Sequence, residues 1–109
     1  MCRFNCNCKF YKVQSATVDG NSLILSFTNP VTANDKDKFS FVICTVIPST
    51  ATPVPVLITV NGANIPLLNK FGNPVFSNEI RKRKLYVGYY GSQTTPHIII
   101  HNIGCDTLV

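Results

Sequence analysis

Hydrophobic and polar residues alternate along much of the chain with the period of two that is typical of β-strands. The clearest case is residues 85–102, where two such runs flank the polar segment Gly91–Pro96. β-Branched and aromatic residues dominate both runs, while Gly, Ser, Gln, Thr and Pro lie between them. The pattern therefore predicts a closing β-hairpin.

Shorter runs of the same kind predict further strands at spacings of roughly 8 to 12 residues. They are Phe10–Val18, Asn21–Thr28, Phe39–Ile47, Val56–Val60, Ile65–Leu68 and Pro74–Ser77. The run Phe39–Ile47 is apolar at most positions, which indicates a central strand covered on both faces.

The segments between these runs predict turns and connections. Asp19-Gly20 and Asn61-Gly62 favour tight type I′ turns. Pro48–Pro55 is rich in Pro, Ser and Thr, cannot join a strand ladder and is expected to cross between sheets or around an edge. Val31–Lys38 reads as a loop, and one turn of helix is expected within Ser77–Arg83.

Composition supports this interpretation and bounds the domain organisation. The chain has 109 residues, of which 45% are hydrophobic and 14% charged, which excludes a disordered tail protein. We predict an all-β protein with a single small β-sandwich or barrel of about eight short antiparallel strands. This domain is expected to span residues 10–103, between a cysteine-rich leader or arm at residues 1–9 and a tail at residues 104–109.

The sequence contains no recognisable targeting segment. Residues 1–10 are polar and lack the apolar core of a secretion signal. No apolar run approaches the roughly 20 residues of a membrane helix. We therefore expect a protein made in the cytoplasm, without a membrane partner, whose five cysteines are free thiols or metal ligands.

Three of the cysteines lie close together near the start of the chain. Cys2, Cys6 and Cys8 have the spacing C-x3-C-x-C, which is not a usual zinc pair. Cys105 would complete a four-thiolate zinc site if the two ends of the chain met; otherwise the leader is flexible or is ordered by a neighbouring subunit. Cys44 lies within an apolar run and is expected to be a small core residue.

The net charge of +5 is concentrated in one place, the run Arg81-Lys82-Arg83-Lys84. Such a cluster suits phosphates, an acidic lipid surface or an acidic protein, and is also common in a solvated loop before a strand. The sequence shows no sustained basic stripe with interleaved aromatic residues, so it does not predict nucleic-acid binding.

No arrangement of side chains in the sequence predicts catalysis. The carboxylates fall in turns, loops or the tail, without a pair placed for acid and base work. His97 and His101 share a face of one strand at a separation of roughly 13 Å, too far apart to bind one metal ion. We therefore expect no enzyme and no cofactor, and interpret both histidines as interface residues.

Residues 55–102 carry a succession of short motifs. A strand ending in Val60-Asn61-Gly62 leads to Ile65-Pro66-Leu67, followed by a G-N-x-V turn at Gly72–Val75, a Y-x-x-Y-x-G strand at Tyr86–Gly91 and a closing strand at His97–Asn102. This succession resembles the β modules of tailed-bacteriophage virion proteins. The resemblance implies a structural or adhesive unit without cofactors and, for a chain of this length, a small head or capsid-associated protein.

Two hypotheses follow. In the first, the protein is a structural virion subunit that assembles as a homo-oligomer and contacts a major capsid or other virion protein through aromatic residues such as Phe4, Tyr11, Phe71 and Tyr89. In the second, it is a soluble binding module with a basic loop for an acidic ligand and a zinc site in its cysteines. The candidate interface residues for assembly or ligand binding are Arg81, Lys82, Arg83, Lys84, Tyr89, His97 and His101.

Overall fold

The computed structural model describes the backbone of residues 10–106 and the side chains of residues 10–101. The elements are β1 (Tyr11–Asp19), β2 (Ser22–Phe27), β3 (Lys38–Ile43), β4 (Val56–Val60), β5 (Ala63–Leu68), a 3₁₀ helix (Ser77–Glu79), β6 (Lys84–Gly91) and β7 (His97–Asp106). The strands form a closed barrel in the order β1-β2-β4-β5-β7-β6-β3. The predicted all-β fold is confirmed, in its barrel form. Within residues 10–106, no helix has the length and hydropathy of a membrane span.

Strand direction differs from the simple antiparallel arrangement expected from the sequence. The pairs β1–β2, β3–β6, β4–β5 and β6–β7 are antiparallel. The pairs β1–β3, β2–β4 and β5–β7 are parallel. Parallel neighbours cannot be joined by a tight turn, so longer connections are needed to place such strands side by side.

The structure differs from the sequence prediction in two segments. Pro74–Ser77 does not form a ladder strand: Pro74 and Phe76 make isolated bridges to Leu68 and Pro55, and the 3₁₀ helix follows. Proline lacks the N–H that a ladder requires, which accounts for the interruption. At the other end, β7 continues to Asp106 and so includes Gly104 and Cys105, which the sequence assigned to a tail.

The barrel interior is filled by the inward-facing residues of all seven strands. Its largest buried side chains include Tyr86 and Phe41, which stack with ring centroids 5.3 Å apart. β3 is buried on both faces, since Ser40 and Val42 are also covered, as its apolar run predicts. Cys44, expected in the core, is only half-buried: it lies one residue beyond the end of β3 at Ile43, where its N–H still donates to the Val13 carbonyl of β1 at 2.9 Å.

The two tight turns differ in type. Asn61 and Gly62 have φ angles of 56° and 75°, which confirms the type I′ turn between β4 and β5. Between β1 and β2, the pair Asp19 and Ser22 closes a loop in which Gly20, at φ 60°, precedes Asn21. Asn21 has no positive φ, so this turn has the type II′ pattern and not the expected type I′.

The connection from β3 to β4 is fastened to the barrel by Ser77. The Val54 N–H donates to Ser77 Oγ at 3.1 Å, and the Ser77 N–H donates to the Val54 carbonyl at 2.7 Å. Ser77 Oγ also lies 3.3 Å from Thr50 Oγ1. A single buried serine thus holds the proline-rich connection at two positions.

Ser77→Ala is expected to lower the free energy of unfolding by about 1 to 2 kcal/mol, because the Val54 N–H loses its acceptor. Ser77 is 9% exposed, so water replaces that acceptor poorly. Urea unfolding followed by circular dichroism measures the change, with Ser49→Ala in the same connection as the matched control. Equal stabilities of the two variants would contradict the fastening role of Ser77.

Candidate interaction surface

Residues on the outer side of β3, β6 and β7 form one continuous surface, here named the hairpin face. It consists of Lys38, Tyr89, His97, Ile99 and His101. Lys38 lies opposite Tyr89 and Tyr89 lies opposite Ile99 in the strand register. Residues directly opposite each other project to the same side of a sheet, so these side chains are neighbours.

Tyr89 is the most prominent ring of the hairpin face. It is 44% exposed, although it belongs to a strand whose alternate residues, Tyr86 and Tyr90, are buried in the barrel. The His101 ring meets it edge to face, with centroids 5.0 Å apart and planes at 78°. The structure thus brings Tyr89 and His101 into contact and places His97 on the same side of β7.

The β2–β3 loop forms a wall beside the hairpin face. The Lys36 N–H donates to the Tyr90 carbonyl at 2.7 Å, and the Tyr90 N–H donates to the Asp37 carbonyl at 2.8 Å. Asp35 Oδ1 accepts a bond from the Ser92 N–H at 2.8 Å. These bonds leave a cavity of about 510 Å³ between the loop and the hairpin face.

A second cavity lies on the other side of His101. Its volume is about 350 Å³, and its lining includes Phe71, Ile80, Tyr86 and His101. Phe71 belongs to the turn at residues 69–73, here named the Phe71 turn, in which Asn69 Oδ1 accepts bonds from the N–H groups of Phe71 and Asn73 at 2.9 and 3.0 Å. The Phe71 side chain is 76% exposed. Lys70 Nζ lies 5.3 Å from the centroid of its ring.

The carboxylates near these cavities bind backbone groups rather than lysines. Asp35 accepts from the Ser92 N–H, Asp37 from the Asn34 N–H at 2.8 Å and Glu79 from the Phe76 N–H at 2.9 Å. Among the described residues, Lys36, Lys38 and Lys70 have no carboxylate partner within 4.0 Å. Within residues 10–101, three cations beside exposed rings therefore lack a salt bridge.

The basic run Arg81–Lys84, here named the basic loop, lies at the start of β6, and Lys84 is the first residue of that strand. The Arg81 N–H donates to the Tyr86 hydroxyl at 2.9 Å, and the Arg83 N–H donates to the Ile43 carbonyl at 2.9 Å. Lys84 and Tyr89 are five positions apart along β6, roughly 17 Å of strand rise. The structure therefore separates this basic loop from Tyr89 along β6, while His97 and His101 lie on the neighbouring strand β7.

A second partly exposed aromatic group lies at the start of β1. Tyr11 stacks on the buried ring of Phe39 at a centroid distance of 5.0 Å and meets Phe27 edge to face at 5.7 Å. Tyr11 is 40% exposed. With Pro30 and Val31 it lines a groove of about 360 Å³, here named the Tyr11 groove.

The proposed zinc ligands fall outside the part of the chain whose side chains are described. This applies to Cys2, Cys6 and Cys8, and also to the side chain of Cys105, so the four-thiolate site stays a prediction. Among the described residues, no group of three or more His, Cys, Asp or Glu side chains could hold a metal ion.

Sequence reasoning named Tyr89, His97 and His101 but not the lysines that accompany the exposed rings. Lys38 reaches Tyr89 only through the β3–β6 register, and Lys70 is associated with Phe71 through the conformation of a turn. The sequence contains a signal for the second association only, because Lys70 immediately precedes Phe71. Comparisons with protein-family models, curated proteins and solved structures found no match to this chain.

Proposed function

We propose that the protein is a non-enzymatic structural component of a tailed-phage virion, specifically a small head or capsid-associated protein. It assembles with copies of itself and with a major capsid or other virion protein, after synthesis in the host cytoplasm. The proposal rests on the motifs of the virion resemblance. Its strand motifs fall on β4, β5, β7 and β6, which are consecutive neighbours in the barrel, and its G-N-x-V turn lies between β5 and the 3₁₀ helix.

The observation that carries the assembly proposal is the Tyr11 groove. Tyr11 is held by stacking on Phe39, a core residue, so it offers apolar area at little cost in conformational entropy. Ordered tyrosines of this kind are typical energetic centres of protein–protein interfaces. A partner that covers Tyr11, Phe27 and Pro30 would extend the barrel core into the interface.

Tyr11→Gln is expected to weaken self-association by about tenfold or more, because it removes the ring that a partner would cover. Native mass spectrometry and sedimentation over a concentration series under reducing conditions measure the oligomer. Val18→Gln is the matched control, since Val18 is an equally exposed apolar residue of the same strand, at 43%. A wild-type protein that stays monomeric alone and in phage capsid mixtures, or equal effects of both variants, would refute this role.

The alternative proposal is a soluble binding module that uses the basic loop for an acidic ligand. One observation favours it: two hydrogen bonds, from the N–H groups of Arg81 and Arg83, fix the backbone of this loop. A fixed loop presents its charges with less loss of entropy on binding. This alternative predicts a monomer whose ligand binding falls steeply with salt.

A further inference from the structure

We infer that the hairpin face and the Phe71 turn bind single-stranded nucleic acid, a function that goes beyond assembly. The inference rests on two exposed aromatic rings, on the lysines beside them and on the strand that connects them to the basic loop. The Tyr11 groove is not part of this surface, so the two functions do not compete for the same residues.

The exposed rings suit base stacking. Tyr89 and Phe71 project from opposite sides of His101, which lines both adjacent cavities. Aromatic side chains on the outside of a β-barrel are the usual stacking platforms for unpaired bases, and they accept every base because each base has a π-face. The two cavities provide space for bases on either side of the Tyr89–His101 pair.

Each exposed ring has a lysine beside it. Lys38 lies opposite Tyr89 in the sheet, and Lys70 lies over Phe71. Lys36 lines the cavity next to Tyr89. A base stacked on either ring would therefore have its phosphate within the field of a lysine that lacks a salt bridge among the described residues.

The distribution of charge indicates the path that a bound nucleic-acid strand would follow over the protein surface. Near the rings, Lys36, Lys38 and Lys70 are matched in number by Asp35, Asp37 and Glu79, although those carboxylates bind backbone N–H groups. The excess positive charge comes from Arg81–Lys84, at the start of β6. A nucleic-acid strand would therefore follow β6 from the hairpin face to the basic loop.

Other partners fit the same surface less well. An acidic protein segment would use the lysines but would leave the exposure of Phe71 and Tyr89 unexplained. A second copy of the chain would bring lysines against lysines on a protein of net charge +5. Duplex DNA hides its base faces within the stack, so the exposed rings could not stack on them. A nucleic-acid single strand accounts for both the rings and the lysines, because its unpaired bases can stack on the rings and its phosphates can contact the lysines.

Fluorescence anisotropy with fluorescein-labelled 12-nucleotide oligothymidylate and oligouridylate, titrated with the full chain under reducing conditions at low salt, tests the inference. The logarithm of the association constant is expected to fall linearly with the logarithm of the salt concentration. Tyr89→Ser and Phe71→Ser are each expected to reduce affinity about tenfold. Lys38→Gln is expected to reduce the salt slope by about one, because it removes one phosphate contact.

The controls separate this inference from the assembly proposal. Tyr11→Gln is expected to leave oligonucleotide affinity unchanged, and Tyr89→Ser is expected to leave the oligomer mass unchanged. A labelled 12-residue polyglutamate and a duplex of the same length replace the oligonucleotide in parallel titrations. Circular dichroism confirms that each variant is folded.

The inference would be overturned by the absence of oligonucleotide binding at low salt, by an affinity that neither ring substitution changes, or by polyglutamate or the duplex binding as tightly as the single strand. Loss of self-association by Tyr89→Ser, with no change in oligonucleotide affinity, would also overturn it and would assign the hairpin face to assembly. A monomeric wild-type protein that binds the oligonucleotide through Tyr89 and Phe71 would uphold the inference while refuting the assembly proposal.

Discussion

Gly88→Ala is expected to destabilise the barrel by about 3 kcal/mol or more, enough to unfold a large part of a marginally stable domain. Gly88 lies on β6 where the register with β7 shifts between Val87 and Gly88. A Cβ at this position would overlap the backbone carbonyl oxygen of Ile99 on the neighbouring strand. The atoms nearest to this Cβ all belong to the main chain of Ile99 and Ile100, so the clash is relieved only if β6 and β7 move apart.

Urea unfolding followed by circular dichroism, or thermal unfolding where the variant is weakly folded, measures this effect. Gly91→Ala is the matched control on the same strand. There a Cβ would lie 2.8 Å from Nε2 of the His97 ring, whose Nδ1 lies 2.7 Å from the Thr95 carbonyl oxygen. A side-chain ring can shift at the cost of that one exposed hydrogen bond, so a loss of about 1 kcal/mol is expected. If Gly88→Ala were as mild as Gly91→Ala, the close approach of β6 and β7 would be disproved.

Asn61→Ala is expected to lower the free energy of unfolding by about 3 kcal/mol, through lost hydrogen bonds and backbone strain. Asn61 Oδ1 accepts from the Ala33 N–H at 2.9 Å, and Asn61 Nδ2 donates to the Ala33 carbonyl at 2.9 Å. The same nitrogen donates to the Tyr90 hydroxyl at 3.1 Å. One turn residue thereby joins the β2–β3 loop to β6.

Two further variants divide this effect into its parts. Asn61→Gly loses the same side-chain bonds but tolerates the φ of 56°, so it is expected to be about 1 kcal/mol more stable than Asn61→Ala. Tyr90→Phe removes a single bond and is expected to cost about 1 kcal/mol. Denaturant unfolding of the three proteins supplies the comparison. Equal stability of the Ala and Gly variants would show that the left-handed strain of alanine is no larger than the extra backbone entropy that glycine loses on folding.

The turn at Asn61 was predictable from the sequence, but the hydrogen bonds between Asn61 and Ala33 were not. The dipeptide Asn61-Gly62 predicts a type I′ turn, because both residues tolerate positive φ, and the structure confirms it. The Asn61 side chain also accepts a hydrogen bond from a loop 28 positions earlier in the chain. No feature of the local sequence predicts this contact. Local conformational preference selects the residue, whereas the folded chain supplies its partner.

The same division applies to the candidate surface. Alternation with a period of two places His97 and His101 on one face of β7 and leaves Tyr89 on the outside of β6, because successive side chains in a strand project to opposite sides. The position of Lys38 opposite Tyr89 and the ring contact of Tyr89 with His101 depend on strand register between separate segments. Register between distant strands follows from packing of the whole core, which no single run of residues contains.

Local patterns in the sequence were therefore sufficient for the all-β class, for most strand positions and for the closing hairpin. These properties depend on interactions between residues a few positions apart. Barrel closure, the parallel pairs β1–β3, β2–β4 and β5–β7, and the grouping of Phe71 and Tyr89 with Lys38 and Lys70 emerged only in the tertiary structure. Their physical cause is the burial of all seven inward faces in one core, which fixes strand order and so brings distant residues together.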